Sequence, residues 1–142
     1  NEGSHFLPTD YPIDLLSISP KFSNSIPMLG VETPQGKIVD EKMIKQHNKF
    51  RLNVEAIKKS IEYHKDYHIK PVMDKNFSIY GEFIKLQQEV GFPNDKVWVM
   101  PAGDTRKALF ETYPVVMDWV RDKGYRFTGR AHIMAFNDQR EV

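Results

Sequence analysis

Apolar and polar positions switch between two periods along this chain, and each switch marks a change of element. Ile13-Asp14-Leu15-Leu16-Ser17-Ile18-Ser19 reads as a buried strand that runs directly into a polar loop, Pro20-Lys21-Phe22-Ser23-Asn24-Ser25. From Asp40 to about Lys65 the period is helical: Phe50, Val54, Ile57 and Ile61 share one face, and lysines and glutamates fill the other. His68 to Asp74 predicts a short strand in which Pro71 removes one ladder donor. A second helix, about Ser78 to Val90, carries Ile79, Phe83, Leu86 and Val90 at helical spacing and stops at Gly91. Lys96 to Pro101 is a compact apolar strand that empties into Ala102-Gly103. Thr105 caps a third helix whose Leu109, Val116, Met117 and Val120 face inward before Gly124 closes it. Pro114 predicts a kink in that helix, or a break into two. The last strand spans Arg126 to Phe136.

One strand followed by three helix–strand units, joined by right-handed crossovers, makes four parallel strands with helices on one face. A closed eight-stranded barrel takes about 250 residues. The expected fold is therefore α/β, with residues 1–142 forming a single domain equivalent to the C-terminal half of a partial TIM-like (β/α) barrel. A small open sheet is the alternative. A start at Asn1 without methionine and a first strand left at an unprotected edge both favour the half-barrel.

Composition narrows the function. A formal charge of +1 gives no electrostatic footprint for nucleic acid or an anionic membrane. No apolar run approaches the roughly 20 residues of a membrane span, and no signal peptide opens the chain, so a cytoplasmic protein is expected. Cysteine is absent, which removes disulfides, cysteine nucleophiles and thiolate-held metals from these residues. His64 and His68 are four apart, but Asp66-Tyr67 looks like a helix-to-strand junction, and solvated helix-end histidines are expected there rather than a metal pair. Trp98, Trp119 and the phenylalanines read as core. Asp74, Asp104 and Asp138 read as caps or loop charges.

Ligands of parallel α/β sheets bind beyond the carboxyl ends of the strands, where loops present polar groups without disturbing the core. Two such loops stand out, Ser17-Ile18-Ser19-Pro20-Lys21-Phe22-Ser23-Asn24-Ser25 and Val97-Trp98-Val99-Met100-Pro101-Ala102-Gly103. With Asn1-Glu2-Gly3-Ser4 and the stretch from Gly124-Tyr125-Arg126-Phe127 through Arg130-Ala131-His132, they give the chain a resemblance. It resembles the C-terminal half of the 7-carboxy-7-deazaguanine synthase family of radical S-adenosylmethionine enzymes. The Ser-Pro-Lys element followed by Ser-Asn-Ser is the most specific part of that likeness.

The resemblance implies a carbon–nitrogen lyase of queuosine and 7-deazapurine biosynthesis that converts 6-carboxy-5,6,7,8-tetrahydropterin to 7-carboxy-7-deazaguanine. It implies S-adenosylmethionine, a [4Fe–4S] cluster and Mg2+ as cofactors, a homodimer, and a reductant such as flavodoxin. The cluster and Mg2+ ligands would lie in an N-terminal half, so this chain alone would be inactive. By the same resemblance, Gly3, Ser19, Pro20, Lys21, Met100, Pro101, Ala102 and Gly103 would contact S-adenosylmethionine, while Asn1, His132 and the terminal carboxylate of Val142 would contact the pterin. Asn1 replaces the family's threonine, and Met100 stands where glutamine is frequent. Against this reading, Lys21 is a solvated loop lysine and His132 a structural strand histidine. A glycyl-radical activase and a non-enzymatic α/β binding module are the competing functions.

Overall fold

The computed structural model describes residues 3–6, 9–33 and 35–137. Among them the chain runs β1 (Leu16–Ile18), α1 (Glu41–Phe50), α2 (Val54–Tyr63), β2 (Tyr67–Ile69), β3 (Val72–Met73), α3 (Tyr80–Val90), β4 (Trp98–Pro101), α4 (Arg106–Lys123), β5 (Arg126–Phe127) and α5 (Ala131–Phe136). All strand pairs are parallel: β1 with β2, β3 with β4, and β4 with β5. They form a two-stranded and a three-stranded ladder, connected by a parallel bridge between Ile69 and Val97. The mixed α/β character and parallel pairing expected from the periodicity are present.

Alternation along the strands decides what is buried. Leu16, Ile18, Ile69, Met73, Val97 and Val99 share a core with Ile57 of α2, Phe83 and Leu86 of α3, and Val116 and Val120 of α4. The intervening strand residues, Ser17, His68, Trp98 and Met100, are half-buried. Side chains alternate across a pleated strand, so one set meets the helices and the other faces away.

Several sequence expectations are corrected. The helix from Asp40 to Lys65 is two helices, because Asn53 restarts the ladder: its Oδ1 accepts from Ala56 N at 3.0 Å while its own N donates to Gly3 O at 2.9 Å. Phe50 therefore drops out of the inward stripe and is 46% exposed. The strand at His68–Asp74 is split at Lys70-Pro71, where Pro71 keeps its carbonyl in the ladder by accepting from Met100 N at 2.9 Å. Helix α4 is not broken at Pro114, and its buried stripe is Leu109, Thr112, Val116 and Val120, which leaves Met117 outside. Phe110 and Phe136 are also exposed rather than core.

A further correction concerns the end of the chain. The strand expected from Arg126 to Phe136 stops at Phe127, and α5 follows. Gly129 lets the Tyr113 hydroxyl approach so closely that a Cβ would collide with it, and that hydroxyl accepts from Arg130 N at 3.1 Å. The chain turns there, and Arg106 holds the C-terminal carbonyls of α5, donating from Nε to Met134 O at 2.9 Å and from Nη2 to Ala135 O at 2.6 Å. A cation on terminal carbonyls offsets the negative end of a helix dipole.

Candidate functional site

Because the strands are parallel, their carboxyl ends open onto the same rim. Ser19-Pro20-Lys21 leaves β1 there, Asp74 leaves β3, Ala102-Gly103-Asp104 leaves β4, and Arg130 lies beyond β5. Residues from all four exits line a cavity of about 500 Å³, floored in part by Phe22 and Val72. That volume lies within the range of about 300–1,000 Å³ typical of small-molecule sites.

Each loop is fastened. Ser19 Oγ donates to Lys70 O at 3.2 Å, Asn24 Nδ2 to Val72 O at 3.0 Å, and Ser25 Oγ to Phe22 O at 2.6 Å. Ser23 donates through both N and Oγ to the Glu82 carboxylate. Arg51 bridges from behind, its Nη1 reaching Lys21 O at 3.1 Å and Glu82 Oε2 at 3.2 Å. The hydroxyls and amide of the Ser-Asn-Ser segment thus hold the loop in shape. On the other side Ala102 N donates to Met73 O at 2.8 Å, which fixes the start of the β4 exit against β3.

Gly103 is required where it stands. Its φ of 153° lies in a region that side chains rarely adopt, and a Cβ there would meet Leu109 N at 2.9 Å. Its carbonyl accepts from Arg130 Nη1 at 2.6 Å. The Arg130 Nε–H is buried without an acceptor among the described residues, a condition that costs about 1–3 kcal/mol.

Charges on the rim are mixed: Lys21, Arg130, Asp74 and Asp104 all line the cavity. Burial disfavours the ionised form of Asp74, but hydrogen bonds from Ser78 Oγ, Asn76 N and Ser78 N outweigh it and hold the carboxyl below its ordinary value. Asp74 therefore acts as the loop cap expected from the sequence. Asp104 is exposed.

Of the residues named from the sequence, Ser19, Pro20, Lys21, Ala102 and Gly103 converge on this cavity. Met100 and Pro101 stand just before it on β4, in register with Val72 and Met73, and do not line it. Gly3 is buried against Ile57 and Ile18 at the start of α2 and is not among the residues lining the cavity. His132 is exposed on α5 rather than seated in a strand. Asn1, Asp138 and Val142 lie outside the described residues. Nothing in the local sequence marks Arg130 or Asp74 as a ligand contact; the fold brings them to the rim.

A second polar surface lies on the sheet face turned away from the helices. The rings of His68 and Trp98 are 6.0 Å apart, and the Arg126 guanidinium sits 5.3 Å from the Trp98 ring centre. Burial, with a smaller contribution from Lys70, holds the pKa of His68 below its usual value, and its Nε2 is buried without a partner among the described residues. His64 is buried and accepts from Ile13 N at 3.2 Å through Nδ1, so it is a structural histidine rather than a solvated helix end. Among the described residues no group of three His, Asp or Glu side chains is arranged to hold a metal ion, and no helix is long and apolar enough to cross a membrane. No protein-family model matches the chain, and no curated protein or solved structure is found to be similar to it.

Proposed function

We propose that this chain forms the S-adenosylmethionine-binding rim of a radical S-adenosylmethionine enzyme related to the 7-carboxy-7-deazaguanine synthases. One observation carries the reading: the Ser19-Pro20-Lys21 and Ala102-Gly103 loops, far apart in sequence, meet on one cavity at the carboxyl ends of parallel strands. The finer fold assignment, half of a (β/α) barrel, goes with it. Two bridged parallel ladders with helices against one face and a half-buried opposite face have the two surfaces that a barrel wall needs.

The residues fit the nucleoside end of S-adenosylmethionine. Phe22, Val72 and Pro20 supply apolar wall for an adenine, Gly103 lets backbone approach it, and Lys21 offers donors to ribose or carboxylate oxygens. Asp104 is an exposed acceptor for a hydroxyl or ammonium group. The residues do not fit an iron–sulfur cluster, since the chain contains no cysteine. Its thiolates, and the Mg2+ ligands, would come from polypeptide outside these residues. The role left to this chain is to bind and orient the cofactor and to keep water from it. The carboxypterin substrate, the homodimer and a flavodoxin-type reductant belong to the same proposal.

In the whole protein, Lys21→Ala should weaken S-adenosylmethionine binding roughly 10- to 100-fold, the loss of a charge-assisted hydrogen bond, while cluster assembly is unchanged. Unaltered affinity would remove Lys21 from the site. The non-enzymatic binding module keeps one specific support, the use of Ser19, Ser23, Asn24 and Ser25 as fasteners. Failure of the whole protein, anaerobically reduced, to cleave S-adenosylmethionine would favour it.

A further inference from the structure

The cavity is lined by a cation part of whose hydrogen-bonding capacity its structural contacts leave unused. Arg130 is set by three restraints: its N donates to Tyr113, its Nη1 donates to Gly103 O, and Gly129 before it admits the Tyr113 ring. One of the two Nη1 hydrogens is thereby used, and along the Nε–Nη2 edge the buried Nε–H has no acceptor among the described residues. That edge is one of the guanidinium edges that match a carboxylate in a two-pronged geometry.

Neighbouring acids do not fill it. Asp74 and Asp104 both line the cavity, yet neither forms an ion pair with Arg130. Asp74 spends its oxygens on Ser78 and Asn76. Arg130 is half-buried, and a half-buried arginine with only a structural role commonly pairs its fork with a carboxylate. This one is held by a backbone carbonyl while two carboxylates stand in the same cavity.

We infer that Arg130 anchors a carboxylate of the ligand that occupies the rim cavity. The inference rests on the ligand-binding reading above and assigns it a residue on the fourth strand exit, opposite the Ser19-Pro20-Lys21 loop. The carboxylate has two possible sources, the amino-acid end of the cofactor or an acid group on the second substrate, and matched probe pairs distinguish them.

The test is a chemical-shift titration of the isotopically labelled chain, following backbone amides and the Arg130 Nε–H signal. One pair is pterin-6-carboxylate against pterin; the other is S-adenosylhomocysteine against 5′-methylthioadenosine. At least one carboxylate-bearing probe should bind about 10-fold more tightly than its counterpart. That preference should vanish in Arg130→Gln and survive in part in Arg130→Lys, with the carboxylate-free probes unaffected. The pair that shows the preference identifies the source. Should Arg130→Gln fail to fold, Arg130→Lys decides: a full, unchanged preference overturns the inference. If wild type binds methylthioadenosine but no pair shows a preference, Arg130 is not an anchor and the nucleoside reading stands. Absence of binding by all four probes overturns both.

Discussion

Replacing Gly103 by alanine perturbs the rim at the point where backbone conformation, helix packing and Arg130 meet. The φ of 153° places a side chain in a region whose occupation costs of order 1–3 kcal/mol. The new Cβ lies 2.9 Å from Leu109 N and 3.0 Å from Leu109 Cδ2. Leu109 N cannot retreat cheaply, because it donates to Thr105 O at 3.0 Å in the first turn of α4. The loop must move instead, which pulls the Gly103 carbonyl from Arg130 and forfeits a charged hydrogen bond worth about 1.5–3 kcal/mol. Relief of one strain comes at the expense of the other, so the losses overlap and we expect about 2–4 kcal/mol in total. Gly91→Ala is the control: Gly91 has φ 86° but open space around its missing Cβ, so it carries only the left-handed backbone cost of about 1–2 kcal/mol. Urea unfolding of both variants at constant m-value reads the difference. Equal midpoint shifts in the two variants would refute the claim that the β4 exit is locked against α4.

Two further predictions follow from single residues. Pro114 lies inside α4, where it supplies no N–H to the preceding turn, so Pro114→Ala should raise the melting temperature through a gain of up to about 3 kcal/mol, less the unfolded-state entropy that proline removes; a lower melting temperature would show that the helix depends on the ring. His68 has a folded pKa below its unfolded value, mainly through burial, with Lys70 adding to the shift and Asp66 opposing it. Its contribution to stability is therefore complete above the unfolded value of about 6.5 and is lost as pH falls from there through the lower folded value. His68→Gln should flatten the dependence of stability on pH in that window, and an unchanged slope would contradict the assignment.

The parts of the fold legible in the sequence are those where local chemistry agrees with tertiary packing. Thr105 caps α4, its Oγ1 accepting from Ala108 N at 3.2 Å, and Gly91 and Gly124 end their helices in the left-handed region. The strand exits at Ser19 and Ala102 could be located because apolar runs stop abruptly there. Periodicity failed where two patterns were nearly in phase. Phe50 and Val54 are four apart and read as one stripe, yet the cap formed by Asn53 rotates one helix relative to the next. Arg126 to Phe136 has enough apolar residues for a strand, but the turn at Gly129-Arg130 depends on Tyr113, a partner distant in sequence. Arg130 was hidden for the same reason: nothing within its own segment indicates that the Gly103 carbonyl and the rim cavity will be its surroundings.

The central claim is that the two strand-exit loops form one nucleoside site. The most direct measurement is a chemical-shift map of this chain titrated with 5′-methylthioadenosine, which carries the adenosine portion of S-adenosylmethionine without its amino-acid end. The account predicts saturable shifts confined to the Ser19–Ser25 loop, the Ala102–Asp104 loop and their immediate neighbours, abolished together by the Gly103→Ala exchange. Saturable shifts centred elsewhere, for example on the His68–Trp98–Arg126 face, or no shifts at millimolar ligand would contradict it.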